Sequence, residues 1–265
     1  MAAKEVFTIL DFETTGLDHN NEQVVEVAAI RTDLEQELGR LHLLVRLKDG
    51  KTLPDFLLDN TDLTDEMLEN GVEELQAMII LSAFIGNSTV VAHYAPFDFA
   101  YLNNYGMQPT LFLCTRSIER FLNPKESASL DPTAKRYGVK LEGAHRAMND
   151  IEATIGVLKA QLAEVEKRGI KRQAIQNLII DSSERPNRFT PQYARVMKIG
   201  KGELQGKRVR VTQEGRNFGK VGTVVDSYNT MNKAQDKICI VDVGTFPHIL
   251  VHQDHLELVD EVASA

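Results

Sequence analysis

Val6-Phe7-Thr8-Ile9-Leu10-Asp11-Phe12-Glu13-Thr14-Thr15-Gly16 is a β-branched, apolar run that ends in two carboxylates. Side chains alternate between the faces of a strand, so Asp11 and Glu13, two positions apart, project from one face. Carboxylates held side by side raise each other's pKa unless a cation sits between them. Hard oxygen ligands of this type suit Mg²⁺ or Mn²⁺. A solvated strand end accounts for the same pair, so this stretch needs company before it means chemistry.

Outward from it, residues 24–32 repeat the β-branched pattern, and residues 41–47 alternate well enough for a third strand. Residues 60–70 hold acids, Thr64 three positions before Met67, and a closing Gly71, which predicts a short capped helix. Residues 72–85 have helical spacing; the apolar stretch 77–85 is too short to span a membrane. A buried strand at 89–92 precedes a helix from about Phe97, and residues 111–115 make another strand. Helical segments follow at 116–122 and 129–137. Residues 147–167 form the longest helical pattern, with Ile151, Ile155, Leu158 and Leu162 on one face. A three-strand meander followed by β/α units predicts an α/β domain, a mixed sheet with flanking helices.

Two further segments carry acids. In His93-Tyr94-Ala95-Pro96-Phe97-Asp98, Pro96 suits a first helical turn and Asp98 falls in the same turn, where the helix dipole alone would favour it. In His145-Arg146-Ala147-Met148-Asn149-Asp150, Asp150 is an early helix residue and His145 lies in the approach to it. A histidine there is either a general base or an ordinary surface residue.

Charge is uneven. The net −8 of the 265 residues divides into −11 over residues 1–162, +4 over 163–200 and −1 over 201–265. An acidic body argues against a nucleic-acid partner unless carboxylates hold divalent cations, which then dominate the local field. Cys114 and Cys239 lie far apart in apolar segments and read as reduced core residues. No secretory signal or membrane span is evident in the sequence, which predicts a cytoplasmic protein.

Taken together, the segments present carboxylates and a histidine in the order Asp, Glu, Asp, His, Asp. Here the sequence resembles the DEDDh 3′→5′ exonucleases of the ribonuclease-H-like fold, a family that includes the proofreading subunit of bacterial DNA polymerase III. That family's motifs, D-x-E-T-T-G, H-N-A-x-F-D and H-R-A-x-x-D, correspond to residues 11–16, 93–98 and 145–150. Thr61-Asp62-Leu63-Thr64 resembles its linking helix start, and the resemblance covers residues 5–165. It implies that Asp11, Glu13, Asp98 and Asp150 hold two Mg²⁺ or Mn²⁺ ions and that His145 deprotonates the attacking water. Asp11 would bridge the ions, Glu13 and Asp150 would complete one site, and Asp98 would support the other. It also implies that Thr14, Thr15, Gly16 and Leu17 contact the terminal nucleotide, with Leu17 as a wedge, and that Phe97 packs beneath the site or simply in the core. Tyr94 replaces the family's asparagine and is positioned to stack on a base or donate a hydrogen bond.

Residues beyond 167 change character. The basic stretch 168–202, with Pro186 and Pro191, reads as a peripheral helix and linker. Five short strands follow at 209–212, 222–226, 238–243, 248–251 and 256–259, spaced as in a small β-barrel over 203–260. Gly206-Lys207-Arg208-Val209-Arg210-Val211 followed by Gly219-Lys220-Val221-Gly222-Thr223-Val224-Val225 resembles a KOW motif, a module that binds RNA or protein. Gly219 and Gly222 read as tight-turn residues needing positive φ. The cations Lys207, Arg208, Arg210, Arg216 and Lys220 either track phosphates or form a solvated hairpin face. The expectation is a nuclease domain over 1–167 that releases nucleoside monophosphates from 3′ ends of single-stranded DNA, DNA being favoured over RNA. An RNA-trimming exoribonuclease or oligoribonuclease is the rival, and a non-enzymatic nucleic-acid-associated scaffold the reading from another class. The barrel is a candidate for docking a protein partner.

Overall fold

In the computed structural model, which describes residues 4–124, 126–141, 146–182, 187–199, 204–229, 237–245 and 247–259, the N-terminal run forms β1 (Phe7–Thr14). Its neighbours are β2 (Val24–Thr32) and β3 (Glu37–Leu44). Helices α1 (Asp55–Asn60), α2 (Asp65–Glu69) and α3 (Glu74–Ile85) follow, then β4 (Thr89–Ala92), α4 (Ala95–Asn103), β5 (Phe112–Cys114), α5 (Thr115–Leu122), α6 (Leu130–Arg136) and α7 (Ala147–Lys167). The first sheet runs β3-β2-β1-β4-β5: β1 is antiparallel to β2 and parallel to β4, and β4 is parallel to β5. This is the mixed, helix-flanked sheet of the ribonuclease-H-like fold.

Pleating of β1 sorts its side chains between two buried layers. Leu10 and Phe12 join α3 and α4 residues such as Met78 and Phe99 on one face. Phe7 and Ile9 join α7 residues such as Ile151 and Leu158 on the other. Asp11 and Glu13 have the parity of Phe7 and Ile9, so they open toward α7. Thr64 caps α2, its hydroxyl accepting from Met67 N at 3.2 Å, as its spacing predicts. Helix α1 has no counterpart in the sequence pattern; it buries only Leu57. Strand β3 begins at Glu37, four residues earlier than the alternation predicts, because its exposed polar positions lie on a sheet edge.

The stretch expected as a basic helix and linker over 168–202 needs correction. Its described part holds a 3₁₀ turn (Arg172–Ala174) and two parallel strands, β6 (Leu178–Ser182) and β7 (Arg195–Ile199). Apolar side chains explain the difference. Ile179 belongs to the core layer containing Leu10, Ile175 packs with Ile151 and Leu158, and Leu178 and Ile180 meet Phe121 of α5. The hydrophobic core of the nuclease sheet therefore extends well past Lys167.

Five strands follow: β8 (Arg208–Val211), β9 (Val221–Asn229), β10 (Lys237–Asp242), β11 (Ile249–His252) and β12 (Leu256–Leu258). They pair antiparallel in the order β12-β8-β9-β10-β11, around a core that includes Val209, Val211, Val224 and Val241. The far end of β9 also pairs with β7, which joins β6 and β7 to this second sheet. Cys114 and Cys239 are buried thiols that are not joined in a disulfide. Gly219 has φ +74°, as a tight turn requires, but Gly222 does not have the positive φ expected of it. It lies within β9, where a Cβ would stand 2.3 Å from the Asp242 carbonyl oxygen, so glycine is needed there for close backbone approach. Gly222→Ala is expected to lower the free energy of unfolding by about 1–3 kcal/mol, the usual scale of overpacking. Urea unfolding followed by circular dichroism measures this, and an unchanged midpoint would show that the strands part at no cost.

Candidate active site

Strand β1 and helix α7 bring Asp11, Glu13 and Asp150 together, each offering a carboxylate oxygen within 4.8 Å of the others. The pleat supplies the first two and the opening turn of α7 the third. Asp98 comes from the first turn of α4, which Pro96 starts as its position predicts. It is 2% exposed, and its Oδ1 is buried with no hydrogen-bond partner. Such an atom is costly unless a cation meets it.

The electrostatics follow from this crowding. Burial first, then the charges of Asp98, Asp150, Glu13 and Glu26, hold Asp11 well above the usual carboxylate range. Burial, the Glu26 carboxylate, Asp150 and Asp98 push Glu13 up to about 8, with Arg146 opposing. Burial pushes Asp98 up to about 8 against the backbone N–H groups of Asp98 and Phe12. An orphaned carboxylate oxygen and hard donors that repel one another fit a divalent cation.

The loop after Glu13 is braced from several sides. Thr14 Oγ1 donates to the Gly16 carbonyl at 2.7 Å, and Tyr101 donates its hydroxyl to the same oxygen at 2.8 Å. Thr15 Oγ1 donates to Glu22 at 2.5 Å while accepting from Gln23 N at 3.0 Å. Both threonine hydroxyls are thus engaged within the protein. Leu17 is 58% exposed, free to meet a ligand. Phe97 packs edge-on to Tyr101, with centroids 5.5 Å apart, at the border of the core. Tyr94 has its ring under the Arg116 guanidinium at 4.9 Å and donates its hydroxyl to Asn187 Oδ1 at 3.0 Å. Both ring nitrogens of His93 are engaged: Nε2 donates to the Ala128 carbonyl at 3.0 Å and Nδ1 pairs with the Thr115 hydroxyl at 2.9 Å. The expected base His145 lies outside the described residues.

Sequence reading passes over Glu26, Arg146 and Asn187. One signal exists for Glu26, a lone carboxylate between apolar neighbours of a predicted buried strand. Asn187 offers none, since its role comes from folding back onto Tyr94.

Residues 8–158 match the family model described as Exonuclease (RNase_T), and the chain belongs to that family. Among curated proteins, it is 31% identical over 181 residues to a DNA polymerase III PolC-type of Thermotoga petrophila, covering 65% of this chain and 13% of that polymerase. The chain thus spans only a small part of the curated relatives' length. Among solved structures, it resembles Exonuclease X in complex with 5′ overhanging duplex DNA, with a TM-score of 0.51 and 21% identity, covering 64% of this chain and 96% of that one. It also resembles E. coli Exonuclease I in complex with a dT13 oligonucleotide, with a TM-score of 0.55 and 16% identity, over 89% of this chain and 55% of that one. The second likeness therefore reaches into the C-terminal sheet. At these identities the structural likenesses speak for the fold.

The raised carboxyls generate a stability test. A carboxyl whose folded pKa exceeds its unfolded value contributes stability that is complete below the unfolded pKa and is lost as pH climbs through the folded one. In EDTA, the Tm is therefore expected to fall between about pH 4, the unfolded carboxylate range, and about pH 8, where Glu13 and Asp98 titrate. Divalent cation should restore stability most at the high end, and Asp98→Asn should flatten the slope. Differential scanning calorimetry at stepped pH checks both; a metal effect independent of pH would refute this electrostatic origin.

Proposed function

We propose that the chain hydrolyses phosphodiester bonds from the 3′ end of single-stranded DNA, releasing nucleoside monophosphates with two divalent cations, Mg²⁺ or Mn²⁺. The convergence of Asp11, Glu13 and Asp150 beside the buried Asp98 carries this reading. Asp11, Glu13, Asp98 and Asp150 would hold the cations, which supply Lewis-acid stabilisation of the attacking and leaving oxygens. His145 takes the proton of the attacking water. Leu17 and the backbone around Gly16 receive the terminal nucleotide, and Phe97 supports them from below. DNA is favoured because the named relatives and complexes are a DNA polymerase and DNA-bound exonucleases. The intact set of five acid and base residues argues against a scaffold that has lost catalysis.

The test uses purified protein on matched labelled DNA and RNA oligomers. Mononucleotides should appear from free 3′ ends of DNA, while a 3′-phosphate should slow release and a closed circle should stay intact. Asp11→Ala or EDTA should abolish the activity, and His145→Ala should cost about 10²–10⁴-fold, the scale of general-base catalysis. Faster trimming of RNA would favour the exoribonuclease reading; cutting of circles would overturn exonuclease action.

The C-terminal strands, with their KOW-like sequence, are proposed to hold the substrate strand away from the cleaved end. Support comes from Arg208 and Arg210, which face outward in alternation with buried Val209 and Val211. Reversing both to glutamate should raise KM and flatten its salt dependence, by about 0.7 in log–log slope for each phosphate no longer neutralised. An equal KM and slope would favour protein docking by this sheet.

A further inference from the structure

Glu26 belongs to none of the motifs, yet it is 0% exposed near the start of β2, directly opposite Glu13. By parity it shares the face of Ala28 and Ile30, which α7 covers. A buried carboxylate is stable as an anion only if donors meet it. Arg146 reaches Oε1 through Nη2 at 3.1 Å and Nε at 3.3 Å, and His42 Nε2 lies 2.6 Å from the same oxygen. Oε2 accepts from Ala147 N at 3.5 Å. Arg146 also pairs with Asp62, in the segment between α1 and α2.

The position of these donors matters more than their number. Ala147 is the first residue of α7, and Arg146 occupies the N-cap without capping the helix through its own side chain. The opening N–H groups of a helix need outside acceptors, and here one of them meets a carboxylate on the neighbouring strand. About one helical turn later stands Asp150, whose carboxylate must meet Asp11 and Glu13. A slip of α7 along β2 would carry Asp150 out of that cluster.

We propose that Glu26 and Arg146 form a clamp that registers the first turn of α7 on β2 and are positioning residues for hydrolysis. Glu26 fixes where Asp150 meets the β1 carboxylates. Arg146 offsets the negative charge that Glu26 places beside Glu13. The proposal rests on the exonuclease reading for its kinetic arm and on metal binding for its other arm.

Glu26→Gln, Arg146→Met, the double variant and Arg146→Lys are compared with wild type on a short DNA oligomer. Mn²⁺ affinity is measured separately by electron paramagnetic resonance, and Tm by calorimetry in EDTA. Each of the first two changes should lower kcat and weaken Mn²⁺ binding by about 10–100-fold, the usual cost of losing a group that orients metal ligands. KM should stay within about threefold, as for a loss confined to the reacting geometry. The double variant should be no worse than the poorer single one, because a clamp broken once has nothing more to lose. Arg146→Lys keeps charge without the two-pronged contact, so it should recover part of the loss with Tm unchanged, even if a harsher variant fails to fold. Multiplying losses in the double variant, or wild-type kcat and Mn²⁺ affinity in a folded single variant, would overturn the clamp. If wild type releases no mononucleotide, the exonuclease reading fails, and the Mn²⁺ titration alone decides the clamp.

Discussion

Confined negative charge is the constraint on which the rest of the structure depends. Asp11, Glu13, Glu26, Asp98 and Asp150 converge from two strands and two helices, and burial raises the protonation of Asp11, Glu13 and Asp98. Left alone, such a group would part or take up protons. Dense packing on both faces of the sheet, through Leu10 and Phe12 on one side and Phe7 and Ile9 on the other, keeps β1 from yielding. The crowding is therefore stored against a rigid frame and is available to a cation.

The frame extends beyond the residues that the family model matches. Strand β6 adds Ile179 to the nuclease core, and Asn177 brackets the end of β5 through Phe112, its N–H donating at 2.9 Å and its Oδ1 accepting at 2.8 Å. Further along, Asn187 holds the Tyr94 hydroxyl, and Phe189 lies edge-on to His19 with centroids 5.7 Å apart. His19 belongs to the loop that carries Leu17, so chain from outside the nuclease motifs helps to shape their rim. Tyr94 is consequently tethered through its hydroxyl, with Arg116 over its ring.

Much of the nuclease fold is legible in sequence because its signals are local. Alternation in residues 6–16 places Asp11 and Glu13 on one face, and the 3.6-residue pattern over 147–167 matches α7 end to end. Thr64 marks a helix start through its side-chain hydroxyl, and Pro96 marks one through its fixed φ and missing N–H. The resemblance of three motifs to the DEDDh exonucleases singles out Asp11, Glu13, Asp98 and Asp150. Where apolar residues are few and cations many, as in 168–202, the same reasoning reads helix and linker, because nothing local says that Leu178-Ile179-Ile180 completes a distant core.

By itself the sequence determined which faces of β1 and α7 carry acid, since face follows from periodicity within one element. Only the tertiary structure decided what meets those faces. Arg146 and Glu26 are 120 positions apart, and Tyr94 and Asn187 are 93 apart. Pairings of this kind depend on how separate elements pack and on which buried charge each donor can reach, and no pattern within a single element encodes either.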